Sequence, residues 1–457
     1  MLVVTHRGPY AFRPRDDTGF DARRGAGGVV SALGPLLLDP EGPPTVWIAA
    51  AISEQDRAAA AAGAAEAVSG VDLRLLVLDP REHRLHYDVV SNAVLWFLHH
   101  GLFDLVRRPS FDERFREAWE AYASVNRHFA LTAAEAAAEG DVVLVQDYQL
   151  ALVPGYLRAA RPDLRVVHFT HTPFCGPNSI RVLPIDVARQ LCSSLAGGAA
   201  GFHVPRWARA YEASARDVLG AGAAIRPPFS ASLGPDATSL AETAADPATV
   251  RAATELGDVV GDRQVVLRAD RVEPSKNIVR GFLAYERLLA ARPDLRERVV
   301  FVAMLYRSRD SLPEYLAYGN EVEQAVHRVN DRFGTAGWDP VVLDVRDDYH
   351  RSVAGLQRYD VLLVNPLKDG LNLVAKEGPL LNGRDGTLCL SRDAGAFDEL
   401  HPAALEIHPY DLDQAAAALA AALDAAPEER AERATRLREL AAARSPAIWL
   451  ADLVAQA

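Results

Sequence analysis

The sequence predicts an α/β protein of two domains, each built on a parallel sheet, and three observations carry that prediction. At 457 residues the chain is too long for one ordinary core and long enough for two of about 200 residues each. Short β-branched runs alternate with longer helical stretches, the signature of strands joined by crossover helices. The motifs that could bind a ligand cluster just after the predicted strands, where the ligand crevice of an open parallel sheet lies.

Strands are expected in the first half at Leu2–Thr5, Thr45–Ala50, Leu73–Leu78, Asp141–Gln146, Val166–Thr170 and Gly201–Val204. A Pro/Ser/Gly/Ala-rich stretch from Arg226 to Ala245 breaks the rhythm and reads as a linker. The second half resumes with Val265–Ala269, Val299–Leu305, Val341–Asp344, Val361–Asn365, Thr387–Ser391 and Leu405–Ile407. From Asp411 the tail reads as helix, interrupted near Pro427 and Pro446.

Composition narrows the class. With 49 basic and 61 acidic residues the net charge is −12, which argues against non-specific nucleic-acid binding, so a phosphorylated ligand has to be held by a local basic cluster. No apolar run approaches the roughly 20 residues of a membrane span, and Met1 leads into a Leu-Val-Val strand without a signal-peptide layout. A cytoplasmic enzyme is the expectation. Cys175, Cys192 and Cys389 are too few and scattered for a disulfide framework and read as buried thiols. Only Lys276, Lys368 and Lys376 are lysines, all in two short segments of the second half. Either coding bias left three survivors, or these segments need a compact ammonium where a planar guanidinium does not fit.

Gly25-Ala26-Gly27-Gly28 precedes a helical run and reads either as a tight turn or as backbone that lets a diphosphate or sugar approach. Tyr87 and Trp96 flank Ser91-Asn92-Ala93-Val94-Leu95; such a pair is either core or a set of ring faces and polar tips for a phosphorylated sugar. Asp147 and His171 each follow a predicted strand and point toward the crevice. Arg271 and Lys276, five apart in a strand-to-helix loop, are spaced to embrace a diphosphate and offset the charge that grows on it as a glycosidic bond breaks. From Asp360 to Glu377 a buried strand runs through a turn holding Pro366 and Gly370 into a helix, with Asp369-Gly370-Leu371-Asn372-Leu373-Val374-Ala375-Lys376-Glu377 at its end. The amides of Leu371 to Val374 then form an anion site, Asp369 accepts from sugar hydroxyls, and Glu377, two turns along, faces ribose hydroxyls. No Asp-x-Asp follows a strand where a metal-bound diphosphate needs it, so metal-independent transfer without a cofactor is expected.

On these residues the chain resembles the trehalose-6-phosphate synthase family of glycosyltransferase family 20, in order over nearly its whole length. The stretches Asp369 to Glu377 and Ser91 to Trp96 and the Arg271/Lys276 spacing carry the resemblance. It implies a retaining GT-B enzyme whose two Rossmann-like sheets face each other across a cleft. The implied domains are an acceptor-binding one over 1–235, a nucleotide-sugar-binding one over 236–435, and a terminal helix over 436–457 crossing back. It implies an acceptor set of Arg7, Tyr87, Trp96, Asp147 and Arg309. The implied donor set is Gly27, Gly28, His171, Arg271, Lys276, Asp369, Gly370, Leu371, Asn372, Leu373, Val374 and Glu377. The implied partners are small molecules, a nucleoside-diphosphate glucose and glucose 6-phosphate, and the family allows a homodimer or homotetramer. Departures keep alternatives open. The family usually has an Asp-Tyr-Ser-Lys-Gly run where this chain has Glu273-Pro274-Ser275-Lys276-Asn277, a histidine at Gln149 and an acidic residue at Asn178. The Pro-x-Lys-Asn loop also resembles validoxylamine phosphate synthase, a pseudo-glycosyltransferase joining cyclitols, and it leaves UDP-glucose and GDP-glucose equally open. A non-catalytic ligand-sensing relative is the alternative of another class.

Overall fold

The computed structural model describes residues 1–15, 19–25, 28–38, 44–68, 70–309 and 311–457. The chain forms two compact units. The first comprises Met1–Leu233 and Pro446–Ala457, the second Gly234–Ser445. The boundary expected at 436 moves to Pro446, because the helix Pro427–Ala442, which buries Ala434, Leu437 and Ala441, packs on the second unit's own helix Val374–Leu381. The stretch expected to be linker contains the helix Ala237–Ala245, capped by Asp236, whose side chain accepts from the Ser239 amide.

In the first unit seven parallel strands line up as β5-β4-β1-β6-β7-β8-β9, with β1 Leu2–Arg7, β4 Val46–Ala50, β5 Asp72–Leu76, β6 Val142–Gln146, β7 Arg165–Thr170, β8 Ala199–Phe202 and β9 Phe229–Ser230. An antiparallel hairpin, β2 Tyr10–Pro14 with β3 Phe20–Arg24, stands outside that sheet. Every residue of β6 is buried, as expected of a strand covered by helices on both faces. Leu2, Val4, Val143 and Val145 build the core on one of those faces with Val125 and Phe129 of the long helix Glu113–Ala136.

The second unit has six parallel strands in the order β12-β11-β10-β13-β14-β15: β10 Gln264–Arg271, β11 Val299–Tyr306, β12 Val341–Val345, β13 Val361–Val364, β14 Thr387–Ser391 and β15 Leu405–Ile407. The order reverses between β10 and β13, the switch point at which such sheets open a crevice. Strands β10 and β11 stay in register over their whole length, so Arg271 and Tyr306 end side by side at the crest. The cysteines are buried free thiols. No helix among the described residues is long and apolar enough to cross a membrane.

Candidate functional site

The crest of the second sheet brings the two specific motifs together. Strand β10 ends in a charged ladder: Arg268, fully buried, donates through Nε and Nη2 to Asp270 Oδ2 at 3.2 and 2.9 Å and through Nη2 to the Lys276 carbonyl at 2.9 Å. The bond to the Lys276 carbonyl ties the 3₁₀ turn Pro274–Lys276 to the strand end. Lys276 Nζ then reaches Asp369 Oδ2 at 2.7 Å, with Asp270 Oδ1 3.9 Å away. Burial alone would lower the Lys276 pKa; Asp369 and Asp270 outweigh it and raise it, so the ammonium stays charged. Asn277 adopts φ 58°, ψ 37° and donates to the carbonyls of Asn365 and Pro409, which fixes the loop to the strand exit of β13.

After β13 the chain turns through Asp369 and Gly370. The Asp369 amide donates to the Asp393 carbonyl, the Gly395 amide to the Asp369 carbonyl, and the Ala396 amide to the Leu371 carbonyl. A Cβ on Gly395 would lie 2.0 Å from the Gly370 carbonyl oxygen, so only glycine permits this approach. Asn372 sits at φ 78°; its Nδ2 donates to Asp369 Oδ2 and its Oδ1 accepts from the Ala375 amide, opening the helix Val374–Leu381. Among the described residues the amides of Leu371, Asn372, Leu373 and Val374 have no acceptor. Four free donors at a helix N-terminus, beside Lys276, make a site for an anion. Glu377 lies in the first turn of that helix, one turn nearer the N-terminus than the sequence spacing implied. Burial pushes its pKa up to about 7, and its carboxylate has no hydrogen-bond or ion-pair partner among the described residues.

Arg271, at the strand end, lies 3.1 Å from Glu273 Oε1, and Arg309, in the loop after β11, lies 3.5 Å from the same oxygen. Arg309 also donates to the Tyr315 hydroxyl. Lys376, the lysine of the Asp369-to-Glu377 stretch, is fully buried and donates to both oxygens of the Glu399 carboxylate. The need for an ammonium there is structural.

In the first unit Arg7, Asp147 and His171 follow the neighbouring strands β1, β6 and β7 along one crest. Asp147, at φ 71°, accepts the His171 amide on Oδ1 at 3.1 Å. The His171 ring is held at both nitrogens, Nδ1 to His203 Nε2 at 3.1 Å and Nε2 to Gln146 Oε1 at 2.9 Å, and burial depresses its pKa to about 3. The imidazole so held is neutral near pH 7. Tyr87 stacks on His6 with ring centroids 4.6 Å apart, and His6 is hydrogen-bonded to His83 through Nε2 atoms 3.0 Å apart. Trp96 is buried and stacked on His100 at 3.9 Å. Both Tyr87 and the Ser91-to-Leu95 run lie in a π-helix, Leu85–Leu95, which Ser91 reinforces by donating to the His86 carbonyl; π-turns recur at functional sites. Gly28 opens the helix Gly28–Leu37, and Gly27 lies outside the described residues.

Glu273, Gly395, His83, His203 and Gln146 also shape the site and are not marked out by the motifs above. Only Glu273, inside the Arg271–Lys276 loop, carried a local signal; the others act through partners distant in sequence. Among the described residues no group of three or more His, Cys, Asp or Glu is placed to hold a metal ion.

Comparison with known proteins places this geometry. The trehalose-6-phosphate synthase of Mycolicibacterium gilvum is 33% identical over 472 residues, covering 98% of this chain and 92% of that one. The fold superposes on the α,α-trehalose-phosphate synthase (UDP-forming) of Burkholderia vietnamiensis with a TM-score of 0.81 at 26% identity, over 99% of each chain. The corresponding Burkholderia xenovorans protein, solved in complex with glucose-6-phosphate, gives 0.81 at 25% over 99% and 98%. These solved relatives share the GT-B architecture of paired parallel α/β units. The model of glycosyltransferase family 20 matches residues 1–457, and with relatives a third identical over nearly the whole length, this protein is an enzyme belonging to that family.

Proposed function

We propose that this glycosyltransferase moves glucose from a nucleoside-diphosphate glucose to glucose 6-phosphate, with retention at the anomeric carbon, to give trehalose 6-phosphate. The observation that carries the reading is the crest of the second unit, where the Lys276 ammonium pairs with Asp369 and the amides of the next turn, Leu371 to Val374, have no acceptor among the described residues. A diphosphate received there has its growing negative charge met by Lys276, Arg271 and the helix N-terminus as the glycosidic bond breaks. Asp369, already fixed by Lys276 and Asn372, accepts from hydroxyls of the transferred glucose, and Glu377 accepts from the ribose. In the first unit, Arg7 binds the acceptor's phosphate, Tyr87, Trp96 and Asp147 serve its sugar, and Gly28 and His171 serve the donor. Arg309 of the second unit completes the acceptor set.

The incoming hydroxyl attacks from the face that the diphosphate leaves, and a departing phosphate oxygen takes its proton, so no protein nucleophile is required. The countercharge comes from protein cations, and turnover is expected to survive chelation of metals with EDTA. The mycobacterial and Burkholderia relatives bear the synthase name, which supports the same substrates here. The enzyme is placed in the cytoplasm, where such substrates are found.

The test is nucleoside-diphosphate release from UDP-, GDP- and ADP-glucose, with and without glucose 6-phosphate, followed by mass spectrometry of the product. Acceptor-dependent release with a phosphorylated disaccharide is the expected result and names the donor. Folded protein that releases nothing from any donor contradicts the reading.

A further inference from the structure

Glu273 stands between Arg271 and Lys276 and belongs to neither ligand set. Its side chain is completely buried. Around its Oε1 converge Arg271 Nη1 at 3.1 Å, Ser308 Oγ at 3.1 Å and Arg309 Nη1 at 3.5 Å. Its Oε2 is buried with no hydrogen-bond partner among the described residues. Burial would raise the pKa of this carboxyl, but Arg271, Arg309 and Lys276 outweigh it and hold it low, so it is an anion.

The backbone explains the aim of the side chain. Pro274 disfavours helical geometry in the residue before it, and Glu273 is extended at φ −135°, ψ 141°. On the other side of the carboxylate, Arg309 is held at φ 53°, a left-handed conformation that arginine rarely takes. Two guanidinium groups this close repel, each lowering the other's preference for charge. An anion between them removes that repulsion and sets where each can lie.

We propose that Glu273 is a positioning residue that clamps Arg271 and Arg309 at a fixed separation and so couples the diphosphate-binding arginine to the sugar-phosphate-binding one. The proposal rests on the transfer reading above. It sets Glu273 apart from either arginine alone: loss of Arg309 affects the acceptor, loss of Arg271 the donor, and loss of the clamp both.

The experiment is steady-state kinetics of Glu273→Gln and Glu273→Asp against both substrates, with melting temperatures alongside. Gln keeps the size and removes the charge, and is expected to raise KM for glucose 6-phosphate and for the nucleotide sugar by about tenfold each. Asp keeps the charge and is expected to return most of both losses. Gln values within about twofold of the unmodified enzyme, or Asp as impaired as Gln, overturn the clamp. Should Glu273→Gln not fold, Ser308→Ala removes one bond to Oε1 and keeps the charge; a rise in both KM values supports the proposal and unchanged values overturn it. If the unmodified enzyme is inactive with every donor, the transfer reading fails, and crystal structures of the Gln and unmodified chains decide the clamp. Guanidinium groups that part in the variant support it; groups that keep their places overturn it.

Discussion

Lys276 and Lys376 each pair with a carboxylate, and their surroundings separate what each pair does. Lys276 keeps part of its side chain accessible beside four free amides, so Lys276→Ala is expected to cost turnover while the melting temperature stays near that of the unmodified chain. Lys376 is fully buried against Glu399. Breaking such a pair leaves an uncompensated charge, and Lys376→Ala is expected to destabilise the fold by about 3 kcal/mol, read by denaturant unfolding. Glu377 adds a pH dependence. With its folded pKa raised to about 7, the native state holds a proton that the unfolded state releases nearer pH 4.5, so its contribution to stability falls as pH rises between them and levels off above 7. Ribose hydroxyls favour the ionised form, so nucleoside-diphosphate affinity is expected to strengthen as pH rises toward 7, and Glu377→Gln to flatten that slope in calorimetric titrations. Lys276 was legible in the sequence because lysine is scarce and the spacing from Arg271 is tight. His203 and Gln146 were not, since it is the fold that brings each against the His171 ring.

At the scale of elements, the strands were readable because buried parallel strands are continuous apolar runs, and β14 and β15 fall where the β-branched and leucine runs put them. The hairpin β2/β3 was not, because its largely exposed arginine- and aspartate-containing strands carry no apolar alternation. The π-helix escaped for a different reason: bonds from i to i+5 follow neither the 3.6-residue nor the two-residue period on which such readings depend. Helix Ala237–Ala245 was hidden by Ala, Ser and Thr, which are as common in linkers as in short helices. The approach of the 369–371 turn to the 393–396 segment depends on a single residue. Gly395→Ala places a methyl group 2.0 Å from a backbone oxygen, so the turn carrying Asp369 must move. Activity is expected to fall more than tenfold with the donor KM raised; unchanged donor kinetics would show that the turn tolerates displacement.

On the scale of the whole molecule, the chain leaves its first unit at Leu233 and returns at Pro446. A Cβ on Gly234 would overlap the Arg444 carbonyl, so the outgoing and returning chain run side by side there and glycine is required. The returning helix Pro446–Ala455 buries Trp449 edge-on against Phe169 and 5.7 Å from the His171 ring. It therefore completes the core beneath a strand end that carries a proposed ligand-binding residue. Trp449→Ala is expected to cost about 3 to 5 kcal/mol, read as a lowered melting temperature. Two α/β units were plain from length and alternation. The return point was misplaced by ten residues, because the helix Pro427–Ala442 stays with the second unit by packing on the helix Val374–Leu381, a partner distant in sequence.

The central claim is that charge held at the second unit's crest drives glucosyl transfer, and the most direct measurement is acceptor-dependent nucleoside-diphosphate release by the unmodified enzyme and Lys276→Ala, side by side. Release is expected to require glucose 6-phosphate and to match the disaccharide phosphate formed, and to be reduced about a hundredfold or more in a variant that melts at the same temperature. Equal release by a well-folded Lys276→Ala enzyme would contradict it.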